Sequence, residues 1–183
     1  MNSRPTPIAG VFVVETTLQS DERGAFGRMF CHDSLAPILS GRMIAQINHS
    51  RTAAPGTVRG MHFQHAPHAE MKLVRCLRGR VWDVVVDVRA GSATFLHWYA
   101  EMLDKDSARM MVIPEGCAHG FQALEPDSEL LYLHTASYAP AAEGGLRPDD
   151  PRLNIPWPMA MVGLSPRDRS HDLIPDDFPG IDV

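Results

Sequence analysis

An antiparallel all-β sandwich or barrel is the fold this sequence predicts, and three observations predict it. Between residue 8 and about residue 138, apolar runs rich in Val, Ile, Met and aromatics follow one another. Each is roughly five to ten residues long, the length of a strand. Turn signals separate them, as in "RGR" (78–80), "AGS" (90–92) and "PEG" (114–116). Only one stretch carries the spacing of a helix, and many short strands without intervening helices pack as a sandwich or barrel.

The chain opens with "IAGVFVVE" (8–15), which ends at Glu15 with no small-residue cleavage pattern after it; it reads as a strand and not as a signal peptide. "DSLAPILSG" (33–41) reads as a short helix, capped by Asp33 or Ser34 and stopped by Gly41. Strands are then expected in "RMIAQINHS" (42–50), "VRGMHFQ" (58–64), "MKLVRCL" (71–77) and "RVWDVVVDVR" (80–89). Four more follow in "FLHWYAEML" (95–103), "RMMVIPEG" (109–116), "HGFQAL" (119–124) and "ELLYLHTASY" (129–138). From Ala139 the chain turns Pro- and Asp-rich, in "APAAEGGLRPDDPRLNIPWP" (139–158). This is expected to be an ordered arm wrapped over the barrel, anchored by Ile155 and Trp157, so that residues 1–183 form one domain.

With 183 residues, 44% hydrophobic and 21% charged, the composition is that of an ordinary globular domain with a sizeable core. A net charge of -5 argues against a general nucleic-acid binder. A few arginines gathered in one cleft still suffice for a phosphate ligand. No apolar run approaches the roughly 20 residues that span a bilayer. Three widely spaced cysteines, Cys31, Cys76 and Cys117, make no disulfide framework and point to a reducing cytoplasm. Cys76 and Cys117 read as small buried apolar residues.

The stretch "RGMHFQHAPHAEMKLVRC" (59–76) holds three histidines, a glutamate and a lysine. Alternation along a strand puts His62 and Gln64 on one face and Met61 and Phe63 on the other. It also groups Lys72 with Val74 and Cys76. A lysine on an inward face needs an anion or a polar cavity, because an unpaired buried charge is costly. Gly60 marks a bulge or a close approach that lets Arg59 reach the cavity of His62. "VWDVVVDVR" (81–89) reads as a core strand, with Trp82, Val84, Val86 and Val88 on its apolar face and Asp83 and Asp87 opposite beside Val85. In "IPEGCAHGF" (113–121), Pro114 and Gly116 make a turn and His119 follows on the next strand.

Several segments together carry a resemblance. They are "DERGAF" (21–26), "QINHS" (46–50), "VRGMHFQ" (58–64), "KLVRCLRGRVWDVVVDVR" (72–89), "IPEGCAHGFQAL" (113–124), "DDPRLNIPWP" (149–158) and "LSPRD" (164–168). In this order they resemble the dTDP-4-dehydrorhamnose 3,5-epimerase family of the cupin superfamily. The resemblance implies a cupin-type antiparallel jelly-roll barrel with short helices, and a homodimer. It implies action without metal or cofactor on a nucleotide-diphosphate 4-keto-6-deoxy sugar. Carried over by position, it makes His62 the general base, Asp168 its orienting carboxylate, Lys72 the enolate-stabilising cation and Tyr132 the acid on the opposite face. It puts Arg23 and Arg59 on the diphosphate. It adds Phe26, Arg28, Gln46, Asn48, His119, Tyr138, Glu143 and Arg167 as substrate contacts.

These residue types suit the chemistry. Protons at C3 and C5 are alpha to the C4 ketone, and removing one makes an enolate. Histidine is poised near neutral pH to take the proton. A buried cation stabilises the oxyanion, and the ketone is itself the electron sink. The sequence departs from the family pattern at Arg28 (Glu in the pattern), Glu70 (Gln) and Pro148 (Trp), and at His65, His68 and Ser137. These departures bear on which sugar is accepted, and they leave open a mono-epimerase that inverts only C3 or only C5 of another nucleotide-linked 4-keto sugar. Two rival readings exist. A metal-dependent cupin would use His65, His68, Glu70 and His119, but its usual motif needs histidines at i and i+2, where this chain has His62-Phe63-Gln64. A non-catalytic sugar-nucleotide binding module has no need of all four of His62, Lys72, Tyr132 and Asp168.

Overall fold

The computed structural model describes residues 1–183. In chain order the elements are β1 (Asn2–Pro5), β2 (Phe12–Glu15), β3 (Gln19–Asp21), β4 (Gly24–Phe26), α1 (His32–Leu39), β5 (Gln46–Thr52), β6 (Val58–Gln64), β7 (Lys72–Arg78), β8 (Arg80–Asp87), β9 (Trp98–Asp104), β10 (Arg109–Ile113), β11 (Cys117–Ala123), β12 (Ser128–His134), β13 (Glu143–Gly145) and α2 (Pro166–Ser170). They form a six-stranded sheet, β1-β2-β10-β7-β12-β5, a five-stranded sheet, β13-β6-β11-β8-β9, and the small β3-β4 hairpin. All strand pairs are antiparallel. The architecture is the expected cupin-type jelly roll.

The core between the large sheets follows from strand alternation. Val74 and Cys76 of β7, Met111 and Ile113 of β10 and Leu130 of β12 meet Val81 and Val85 of β8, Leu103 of β9 and Phe121 of β11 in one buried cluster. The other face of β8 is also covered, which explains its nearly continuous apolar run. Val84, Val86 and Val88 pack with Met61 and Phe63 of β6 under Leu146, Leu153, Ile155, Ile174 and Ile181 of the C-terminal arm. Trp157 sets its ring edge against Trp82 at 5.5 Å, and its indole N–H donates to the Pro148 carbonyl at 2.8 Å. The arm is therefore ordered and anchored by Ile155 and Trp157, as expected. On the outside of the six-stranded sheet, Leu35 and Leu39 of α1 cover Val14, Leu73, Met110, Val112 and Leu133.

Some boundaries differ from expectation. α1 begins at His32, with Cys31 in the cap position and no side-chain cap bond, so neither Asp33 nor Ser34 caps it. It ends at Ser40 in the left-handed conformation (φ 49°), one residue before Gly41. Residues 42–45, which the sequence assigned to a strand, form no regular element after that reversal, and β5 starts only at Gln46. β1, the β3-β4 hairpin, β13 and α2 carried no signal because they are short and show no apolar alternation.

Where β6 crosses β11 the register shifts between His119 and Phe121. Gly60 has φ 130°, and a Cβ on it would lie 2.5 Å from the Gly120 Cα. Only glycine accepts that backbone and that approach. The irregularity brings Arg59 into the same cleft as His62, as anticipated from Gly60. No helix is long and apolar enough to cross a membrane.

Candidate active site

A cleft of about 580 Å³ opens between the two large sheets, with α2 and β13 at its edge. Ten of the fourteen expected site residues line it: Asn48, Arg59, His62, Lys72, His119, Tyr132, Tyr138, Glu143, Arg167 and Asp168. Arg23, Phe26, Arg28 and Gln46 do not. Arg23 and Phe26 sit on the β3-β4 hairpin, where Arg23 pairs with Asp21 and Phe26 is 75% exposed. Arg28 follows that hairpin and is exposed too. Gln46 is at the rim, its side-chain oxygen accepting from the Tyr138 backbone N–H at 3.1 Å. For Arg23, Phe26 and Arg28 the reason is topological: the hairpin stands outside both sheets and does not reach the cleft of its own chain.

His62 stands on β6 opposite His119 of β11. Its Nε2 lies 2.8 Å from Asp168 Oδ1. α2 delivers that carboxylate: Ser165 caps the helix by accepting from the Asp168 N–H at 3.0 Å, and Pro166 starts it. Burial pushes the Asp168 carboxyl up, but the His62 ring, the Ser165 hydroxyl and the Gly60 N–H outweigh it and hold the pKa at about 2. Asp168 is therefore an anion at neutral pH. Arg167 Nη2, a donor, also lies 3.1 Å from His62 Nε2, but the shorter 2.8 Å contact to the buried carboxylate, which only accepts, favours the proton on Nε2 and leaves Nδ1 as the free lone pair. Arg167 braces this pair from the rim. It pairs with Glu143 at 2.7 Å, and Glu143 accepts from the Tyr138 hydroxyl at 3.0 Å.

Lys72 and Tyr132 enter from the opposite sheet. Lys72 Nζ donates to the His62 carbonyl at 3.0 Å and lies 3.4 Å from Glu70. Burial lowers its pKa, and the Glu70 charge opposes that fall. Burial raises the Tyr132 phenol well above its usual range, so it holds its proton. Its ring is edge-on to His119 and stacked on His134, each at 6.0 Å. Arg59 bonds only to the Thr52 hydroxyl and the Arg51 carbonyl and makes no ion pair, so its charge is available at the cleft.

Two residues to which the sequence gave no role, Asp83 and His134, belong to this arrangement, together with Glu70, which it marked only as a departure and as a ligand in the metal reading. Asp83, fully buried on the strand read as bland, holds His119 Nε2 at 2.8 Å. His134 and Glu70 pair at 2.8 Å. The only available signal was parity: Asp83 shares the inward face with Val85, and His134 shares that of Tyr132. Among the departures, Glu70 alone lines the cleft. His65 and His68 are on an exposed loop, and the Pro148 carbonyl braces Trp157. No three of the His, Cys, Asp and Glu side chains gather as a metal-ligand cluster. His65 packs against Phe63, Glu70 bonds His134, and His119 bonds Asp83.

Fold and cleft together define a cupin-type jelly roll whose inter-sheet cavity is lined with paired titratable groups. Comparison with known proteins makes this specific. The family profile described as dTDP-4-dehydrorhamnose 3,5-epimerase matches residues 5–176, and the chain belongs to that family. A dTDP-4-dehydrorhamnose 3-epimerase of Streptomyces niveus is 41% identical over 170 residues, covering 92% of this chain and 82% of the relative. The structure of a 4-keto-6-deoxy sugar epimerase from the novobiocin biosynthetic gene cluster of Streptomyces spheroides superposes with a TM-score of 0.90 at 40% identity, covering 94% of this chain and 87% of the other. The epimerase of Legionella pneumophila, solved in complex with dTDP-4-keto-L-rhamnose, gives 0.89 at 36% identity, with 94% and 92% covered.

Proposed function

We propose that this chain is an epimerase that inverts C3, C5 or both in a dTDP-linked 4-keto-6-deoxyhexose, without a metal. The observation that carries the reading is the meeting of the His62–Asp168 pair, the Lys72 ammonium and the protonated Tyr132 phenol in one cleft. His62 Nδ1 takes the proton alpha to the ketone. The C–H electron pair moves through the enolate to the C4 oxygen, where Lys72 stabilises the negative charge. Tyr132 delivers its proton to the opposite face of the same carbon, and the enolate collapses back to the ketone. The imidazolium then loses its proton and the phenolate regains one through solvent. The net change is one inverted centre.

Arg59 suits the diphosphate because its charge has no carboxylate partner. Arg23 and Phe26 fit a homodimer in which the exposed hairpin of one protomer closes the cleft of its partner. Residues 1–183 act as one cupin-like epimerase domain, a reading supported by the arm and barrel sharing one buried cluster.

The test is NMR of the dTDP-4-keto-6-deoxyglucose substrate incubated with the protein in D2O. Deuterium is expected at C3, C5 or both. His62→Ala is expected to lose wash-in by roughly 100-fold or more while still binding dTDP. Tyr132→Phe is expected to slow inversion more than exchange. Unchanged wash-in in His62→Ala would falsify the base assignment, and no wash-in at either carbon by the parent protein overturns the epimerase reading.

A further inference from the structure

Glu70 and His134 form a second carboxylate–imidazole pair in the cleft, one the mechanism above does not use. They come from different places in the chain: Glu70 from the loop before β7, His134 from the end of β12, where it is the cross-strand partner of Lys72. Both side chains are nearly buried, at 7% and 12% exposure. His134 Nδ1 lies 2.8 Å from Glu70 Oε2, and Lys72 Nζ lies 3.4 Å from Glu70 Oε1. Asn48 Nδ2 faces the other ring nitrogen, His134 Nε2, at 3.4 Å. An amide nitrogen only donates, so Nε2 accepts and the imidazole proton is on Nδ1, directed at Glu70.

We propose that Asn48, His134 and Glu70 form a positioning chain that supplies the counter-charge of Lys72 and aims its ammonium into the cleft. This rests on reading Lys72 as the cation that stabilises the enolate. Both Glu70 oxygens are committed, one to Lys72 and one to His134, so Glu70 acts through Lys72 and not on the substrate.

The charges around Lys72 leave this task to Glu70. The lysine side chain is 9% exposed, and a buried ammonium without an anion gives up its proton. Of the groups facing it, His62 offers only a backbone carbonyl. Glu143, across the cleft on β13, acts at longer range and is already engaged by Arg167 and Tyr138. Asp168 is taken by His62, and His119 by Asp83. Glu70 is the only carboxylate in ion-pair contact with Lys72. His134 keeps that carboxylate turned the right way, and its stacking on Tyr132 fixes the ring in turn.

Two readouts test the chain. The first is an NMR titration of the Lys72 side chain in lysine-labelled protein, which does not depend on turnover. In Glu70→Gln the Lys72 midpoint is expected to fall by about one pH unit or more, while Glu70→Asp, which keeps the charge, stays near the parent. His134→Ala gives a smaller fall, and His134→Gln, which retains an N–H for Glu70, restores it. The second readout is the pH profile of kcat/KM. Its alkaline limb is expected to move down in pH in step with the Lys72 midpoint, with kcat falling and KM nearly unchanged. An unmoved midpoint and an unmoved alkaline limb in Glu70→Gln overturn the proposal. If that variant does not fold, equal midpoints in His134→Ala and the parent overturn it. Failure of the epimerase reading is separable: a shifted midpoint in a protein with no deuterium wash-in supports the counter-charge and rejects only that reading.

Discussion

His62 and Asp168 are 106 positions apart in the chain and 2.8 Å apart in the fold. Their contact sets both the tautomer of the imidazole and the charge of the carboxylate. Replacing Asp168 with Asn removes the charge and lets the amide donate to Nε2, which moves the ring proton to Nδ1 and blocks the lone pair. A loss of roughly 100-fold or more in kcat is expected, with KM little changed, measured by steady-state kinetics. The same pair leaves a mark on stability. The Asp168 pKa is depressed to about 2 in the folded protein, below its unfolded value of about 3.9. Its contribution, on the order of 2 kcal/mol, is present above the unfolded pKa and lost as pH falls through the folded one. Urea melts between pH 5 and pH 2 are expected to show a shallower acid decline in Asp168→Asn than in the parent. Lys72 was legible because a charged residue stood on an inward face, and His62 through the motif that carries the family resemblance. Asp83 and His134 were not, since their importance comes from a partner on another strand.

At the scale of elements, the crossing of β6 and β11 decides how the cleft is built. Gly60 and Gly120 bring the two backbones together beside a register shift, and Arg59, exposed, lines the cleft there. Gly60→Ala adds a methyl 2.5 Å from the Gly120 Cα at a φ of 130°. A loss of at least roughly 2 kcal/mol is expected from strain and displacement, read as a lower urea midpoint. dTDP affinity is expected to fall with it, because Arg59 shifts with the strand. The sequence marked Gly60 as unusual through its place inside a strand. It did not mark the β3-β4 hairpin or α2, whose few residues make no apolar periodicity. Nor did it place the start of α1, since Cys31 caps through its backbone conformation alone.

At the scale of the whole molecule, the C-terminal arm closes the outer face of the five-stranded sheet and carries Asp168 back to His62. Arm and cleft are therefore coupled. Trp157→Ala removes a ring packed on Trp82 and is expected to cost roughly 3 kcal/mol or slightly less, since Trp157 is only partly buried. Differential scanning calorimetry checks the loss as a lower Tm. Activity is expected to fall at temperatures where the arm detaches first.

The pattern of short apolar runs, their alternation and the turns between them already specify an antiparallel β sandwich, an inward Lys72 and an arm pinned by Ile155 and Trp157. These properties are local, because a strand's two-residue period can be read from neighbours in the chain. The chain order of the matching motifs carries the family. Which carboxylate faces which histidine is a different kind of property. It depends on strand register and on how two sheets close over each other, and these pair residues through contacts separated by dozens of positions. Asp83 with His119, Glu70 with His134 and Lys72, and the hairpin's position outside the cleft therefore became visible only in three dimensions.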